Sequence, residues 1–196
     1  MPDIATAGQA HQLLRALAEQ LAASGHAYEL VVIGGSALLA AGVIDRPTQD
    51  VDVLALRSGD RLLNADPLPL ELRAARDRVS RDFGVAESWL NAGPTGLLSL
   101  GLPGGLIGRL NTGHYGAALT VHFASRLDQI HFKLYAFVDQ GPGKHETDLR
   151  ALEPTRDELI QAARWTRTHD PSPGFAQLLG ETLTHLGVED ANLGTW

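Results

Sequence analysis

The sequence predicts an α/β or α+β fold, a small sheet flanked by helices and followed by a helical C-terminal part. Three observations predict it. Short β-branched or apolar runs fall early, at Val31-Val32-Ile33, Val51 to Leu56 and Ala117 to Phe123, as buried strands require. Stretches with helical periodicity separate these runs. From Arg126 onward the apolar residues recur at helical spacing alone. Residues 1–125 are expected to form the core. Residues 126–196 are expected to form a helical part packed on it, in one compact unit.

In chain order, Leu13, Leu14, Leu17, Leu21 and Ala22 mark an amphipathic helix from Ala10 to Ala23, stopped near Ser24-Gly25. Glu29 to Ile33 is the first strand. Gly34-Gly35 breaks it, Ser36 suits a helix cap, and the helix runs to Gly42. A turn at Asp45-Arg46-Pro47-Thr48 leads to the second strand, Val51 to Leu56. Arg57 to Asp60 reads as a turn. Leu70 to Phe83 is a helix with Leu72, Ala75, Val79 and Phe83 on one face, ended by Gly84. Trp89 and Leu90 read as packing residues and Asn91 to Gly96 as a turn. Leu97 to Tyr115, rich in Gly and Leu, reads as a long loop with a short strand.

Ala117 to Phe123 is the third strand. Arg126 to Val138 is a helix whose stripe is Leu127, Ile130, Leu134 and Phe137, with Lys133 on its border. Gln140 to Gly143 breaks it. A short helix spans Lys144 to Leu152. Thr155 caps the next helix, and Glu158 completes a capping box. Phe175 to Leu186 is the last helix, stopped at Gly187, and the tail to Trp196 reads as loosely held.

Composition excludes several function classes. The 196 residues contain no cysteine, which removes disulfides, thiolate zinc sites and cysteine nucleophiles. The net charge of −7 argues against a general nucleic-acid coat protein, though not against a local basic cleft. No apolar run is long enough to span a bilayer. The N-terminus carries neither a basic segment nor an apolar signal core, so a cytoplasmic location is expected. Basic residues are nearly all arginine. The only lysines are Lys133 and Lys144, which fits either a codon usage that favours arginine or lysine kept where a compact point charge is wanted.

The chemistry concentrates between Val31 and Leu56. Asp50 and Asp52 are two apart at the start of a strand and so share one face. An acid in an otherwise apolar strand is costly unless paired or metal-bound. If the first two strands are neighbours, this carboxylate pair meets the Gly34-Gly35-Ser36 turn, where backbone amides and a hydroxyl suit phosphate. Alone, the turn also suits simple strand–helix packing. It resembles the opening of a dinucleotide-binding unit as well, but the full G-x-G-x-x-G pattern is missing and the acids sit at the wrong end of the second strand.

Together, GGSALL and RPTQDVDV resemble the motif of the DNA polymerase β-like nucleotidyltransferase superfamily. The fuller pattern, and HFKLYAFVD followed by KHETDLRAL, is similar to the AbiEii and MenT type nucleotidyltransferase toxins. The resemblance covers Glu29 to Trp165. It implies a small mixed-sheet nucleotidyltransferase core. Gly34, Gly35 and Ser36 would hold nucleotide phosphates, with Arg46 beside them as a further nucleotide-binding residue. Asp50 and Asp52 would bind Mg²⁺ or Mn²⁺. Lys133 would contact the triphosphate, and Asp148 would serve as base or orient Lys133. The activity implied is transfer of NMP from an NTP to a hydroxyl. The acceptor would be RNA such as a tRNA 3′ end, a protein or a small molecule, in a toxin–antitoxin or phage-defence setting with a cognate antitoxin. The superfamily's third carboxylate has no counterpart on the Leu119 to Phe123 strand, which offers His122. A catalytically silent nucleotide-binding or interaction module of the same fold is the alternative.

Overall fold

Two antiparallel segments joined by a seven-residue helix and a loop set the geometry of the core. The structure is a computed structural model that describes residues 4, 6–44 and 46–189. Asp45 and the end of the expected loose tail, from residue 190, lie outside the described residues. The chain divides into two units, residues 1–125 and 126–196.

In the first unit, α1 (Ala7–Ala23) leads to β1 (Tyr28–Ile33), α2 (Gly34–Ala40), β2 (Val51–Ser58), β3 (Arg61–Leu63) and α3 (Leu70–Phe83). There follow β4 (Leu90–Asn91), the short helices α4 (Leu97–Leu100) and α5 (Leu106–Arg109), β5 (Asn111–Tyr115) and β6 (Leu119–Phe123). The strands form one six-stranded mixed sheet, ordered β3-β2-β1-β6-β5, with β4 paired to β2. β1 is central because Leu30, Val31, Val32 and Ile33 are buried on both faces. Its neighbours are antiparallel β2 and parallel β6. Leu13, Leu14, Leu17 and Leu21 of α1 are fully or almost fully buried, the single apolar face that the periodicity predicts.

The differences from expectation have local causes. Arg57 to Asp60 is not only a turn: Arg57 and Ser58 extend β2, which pairs with β3. The 97–115 stretch contains two one-turn helices as well as β5. Ser36 is not a cap. Gly34, at φ +82°, carries the chain straight from strand into α2, and no side chain caps that helix. β4 is two residues long, too short for any periodic signal to reveal it.

The second unit is helical: α6 (Arg126–Gln140), α7 (Lys144–Ala151), α8 (Arg156–Arg167) and α9 (Pro173–His185). The capping box forms as read, with Thr155 Oγ1 accepting from Glu158 N–H and Glu158 Oε2 from Thr155 N–H. Arg126 adds a two-pronged bridge to the same carboxylate, 2.6 and 3.1 Å. That pairing holds Glu158 well below the usual carboxylate range, at about 2. No helix among the described residues is long and apolar enough to cross a membrane.

Candidate functional site

The site in the first unit is built by a register shift. β1 and β2 pair as Leu30↔Leu56 and Val31↔Ala55, then slip by one residue so that Val32 faces Val53 and Ile33 faces Asp52. Continued evenly, the ladder would put Val53 opposite Ile33. The bulge instead delivers Asp52 to the last rung of β1, next to the Gly34 turn. Bulges of this kind re-aim side chains beside functional sites.

The carboxylate then lies on glycine. A Cβ added to Gly34 would stand 2.5 Å from Asp52 Oδ2, closer than any side chain tolerates. A Cβ on Gly35 would stand 2.9 Å from Thr48 Oγ1 and 3.5 Å from Arg46 Nη2. The two glycines are therefore needed for close approach, Gly34 also for its left-handed backbone. Arg46 lies over the same turn, its Nη1 donating to Pro47 O at 3.1 Å. The loop carrying Arg46 and Thr48 is pinned by reciprocal backbone bonds between Thr48 and Ile4, 2.7 and 3.0 Å. Asp50 lies just ahead of β2, two residues from Asp52, and is half-buried.

Ser36 is 2 % exposed and its hydroxyl has no partner among the described residues. An orphaned buried hydroxyl costs roughly 1–3 kcal/mol, so its position beside the turn calls for an explanation. The donor set fits one hard divalent cation of the kind that takes one or two carboxylates and completes its shell with substrate phosphates. The observation behind that fit is the buried Ser36 hydroxyl, beside the turn on which the Asp52 carboxylate lies and without a partner among the described residues. No group of three or more His, Asp and Glu side chains able to hold a metal occurs among the described residues.

His122, read from sequence as standing where a third acid would be, is committed elsewhere. Its Nδ1 meets Arg57 Nη1 at 3.3 Å and Thr112 Oγ1 at 2.9 Å, and its Nε2 meets Glu29 Oε2 at 2.9 Å. Guanidinium can only donate, so Nδ1 accepts and the Nε2–H donates to Glu29. Both ring nitrogens are thus used within the sheet.

Lys133 and Asp148 belong to the second unit. Lys133 Nζ lies 2.6 Å from Asp148 Oδ2, with the residues 5 % and 0 % exposed. Lys133 therefore does not snorkel to water from the edge of its stripe, one of the two courses open to it. Asp148, implied as base or as the partner that orients Lys133, is fully buried against it. Two residues that the sequence offers only as turn residues lie at the site: Thr48, under Gly35, and Asn91, whose Nδ2 donates to Asp52 Oδ1 at 3.3 Å.

Residues 11–66 match the profile of a family described as a nucleotidyltransferase of unknown function (DUF6036). That stretch holds the Gly34 turn and both aspartates. The match supports the nucleotidyltransferase superfamily. It does not extend to the AbiEii and MenT subgroup. No curated protein and no solved structure matches the chain.

Proposed function

We propose that the chain is a nucleotidyltransferase that moves NMP from an NTP to a hydroxyl acceptor, with Mg²⁺ or Mn²⁺ held by Asp50 and Asp52. The observation that carries this reading is Asp52 Oδ2 seated on Gly34, 2.5 Å from where a Cβ would be. Backbone suited to phosphate and a carboxylate suited to metal must meet for this chemistry, and Asp52 pairs with Ile33, the residue that enters the Gly34 turn. The cation would neutralise charge on the phosphates and leaving pyrophosphate.

The residues have separate tasks. Gly34 and Gly35 let Asp52 and Thr48 pack directly on the turn, whose backbone amides would face the phosphates. The Ser36 hydroxyl, without a partner among the described residues, would donate to a phosphate oxygen. Arg46, beside Gly35, supplies charge-assisted hydrogen bonds to the triphosphate. By the motif resemblance the acceptor is RNA such as a tRNA 3′ end, in a toxin–antitoxin setting, while the net charge of −7 slightly favours a protein or small-molecule hydroxyl.

The test is incubation with each α-labelled NTP, Mg²⁺ or Mn²⁺, and total RNA or purified tRNA, read on a gel. Label on RNA with release of pyrophosphate is expected, lost in Asp52→Ala. Absence of transfer to RNA, protein or small-molecule hydroxyls, with NTP still bound, would replace this reading by a silent nucleotide-binding module.

A further inference from the structure

We propose that Asn91 is a positioning residue for Asp52, a carboxamide on the neighbouring strand that fixes which way the metal-binding carboxylate faces. This rests on the metal-site reading above. β4 runs parallel to β2 and pairs Val51 with Leu90 and Asp52 with Asn91, so Asn91 is level with the aspartate. Its two amide atoms are not interchangeable. Oδ1 accepts from Gly93 N–H at 2.8 Å, which leaves Nδ2 to face Asp52 Oδ1 at 3.3 Å. A carboxylate can only accept when ionised, so a donor is the matching partner there. Asp52 is then held from two sides, Oδ1 by the amide and Oδ2 against Gly34.

The short strand that delivers the amide is itself anchored. Trp89, just ahead of β4, is fully buried and its Nε1 donates to Arg76 O at 3.2 Å. Beyond the Gly93 turn, Thr95 Oγ1 accepts from Ala65 N–H at 3.1 Å and meets Asn64 Oδ1 at 3.2 Å. Both ends of the Trp89–Thr95 segment are therefore tied to the unit. An amide placed so firmly, on the next strand and at the level of the key acid, orients a ligand rather than filling a turn. Partners of this kind are worth about 10–100-fold in metal affinity.

The experiment is Mn²⁺ titration of the intact protein, followed by paramagnetic resonance and without nucleotide, for the parent, Asn91→Ala and Asn91→Asp. Asn91→Ala is expected to bind Mn²⁺ about tenfold more weakly while remaining folded by circular dichroism. Asn91→Asp keeps an oxygen for Gly93 N–H and turns a second oxygen toward Asp52. It is expected to be less stable without metal and to bind Mn²⁺ more tightly than the parent, because a third carboxylate now faces the site. Parental affinity in Asn91→Ala overturns the proposal while leaving the metal site intact. If Asn91→Ala does not fold, Asn91→Asp decides, and parental affinity there overturns it. Failure of all three proteins to bind Mn²⁺ overturns the metal-site reading and this proposal with it.

Discussion

Gly34→Ala separates backbone strain from side-chain collision at the site, and the structure gives the size of each. At φ +82°, any residue with a Cβ carries a left-handed penalty of about 1–2 kcal/mol. The new Cβ would also stand 2.5 Å from Asp52 Oδ2, so the carboxylate must leave its rotamer and loosen its bond to Asn91. Displacement off a rotamer costs about 0.5–1.5 kcal/mol. Gly34→Ala should therefore destabilise by about 2–3 kcal/mol in urea unfolding. In an Asp52→Ala background the collision is gone and only the backbone penalty remains. The cost of Gly34→Ala should fall there by about 1 kcal/mol, a coupling well above the usual error of additivity for distant sites. Transfer activity should fall further than stability suggests, by about a hundredfold, because a displacement near 1 Å is enough for that loss. An equal cost in both backgrounds would refute the contact. Full activity in Gly34→Ala would refute its place in the site.

Ser36→Ala removes a buried hydroxyl with no partner among the described residues; it should leave the ligand-free protein as stable or more so, yet weaken NTP binding by about 1 kcal/mol in calorimetry. Opposite signs are the diagnostic, and a loss of stability without loss of affinity would return Ser36 to the scaffold. Lys133→Met leaves the fully buried Asp148 without its cation at 2.6 Å, so unfolding should show a loss of about 3–5 kcal/mol, largely recovered in Lys133→Met with Asp148→Leu. A merely neutral single variant would contradict the buried pair. The Glu158 carboxyl is held near 2, first by its hydrogen bonds to Arg126, against an ordinary 4.5. Its folded-state value is lowered, so its contribution is present above pH 4.5 and lost as pH falls toward 2. Acid titration of helicity should show that slope in the parent, and Glu158→Gln should flatten it.

The sequence by itself determined the periodic elements and the chemistry-bearing types. Leu70 to Phe83 is helical as its spacing requires, Thr155 and Glu158 close their capping box, and Val31 to Ile33 is a strand buried on both faces. These depend on interactions within a turn or two of chain, which local pattern records. Gly34-Gly35-Ser36 and Asp50-x-Asp52 stood out for the same reason, since acids in an apolar strand and paired glycines after one are locally costly. Tertiary structure alone decided how they meet. The slip at Val31/Val32 that brings Asp52 opposite Ile33 is a property of two strands, invisible in either. The Ser36 cap was misread because a cap is decided by the φ of the residue that enters the helix, here Gly34. Asn91 stayed hidden inside a stretch read as a turn, because two residues carry no period and their meaning comes from pairing with β2. His122 had a suggestive place in sequence, but Glu29, Thr112 and Arg57, brought to it by three other strands, already occupy both of its nitrogens. Burial and partners are set by residues distant in the chain, which is why local pattern fixes element type here while only the folded sheet fixes which side chains face one another.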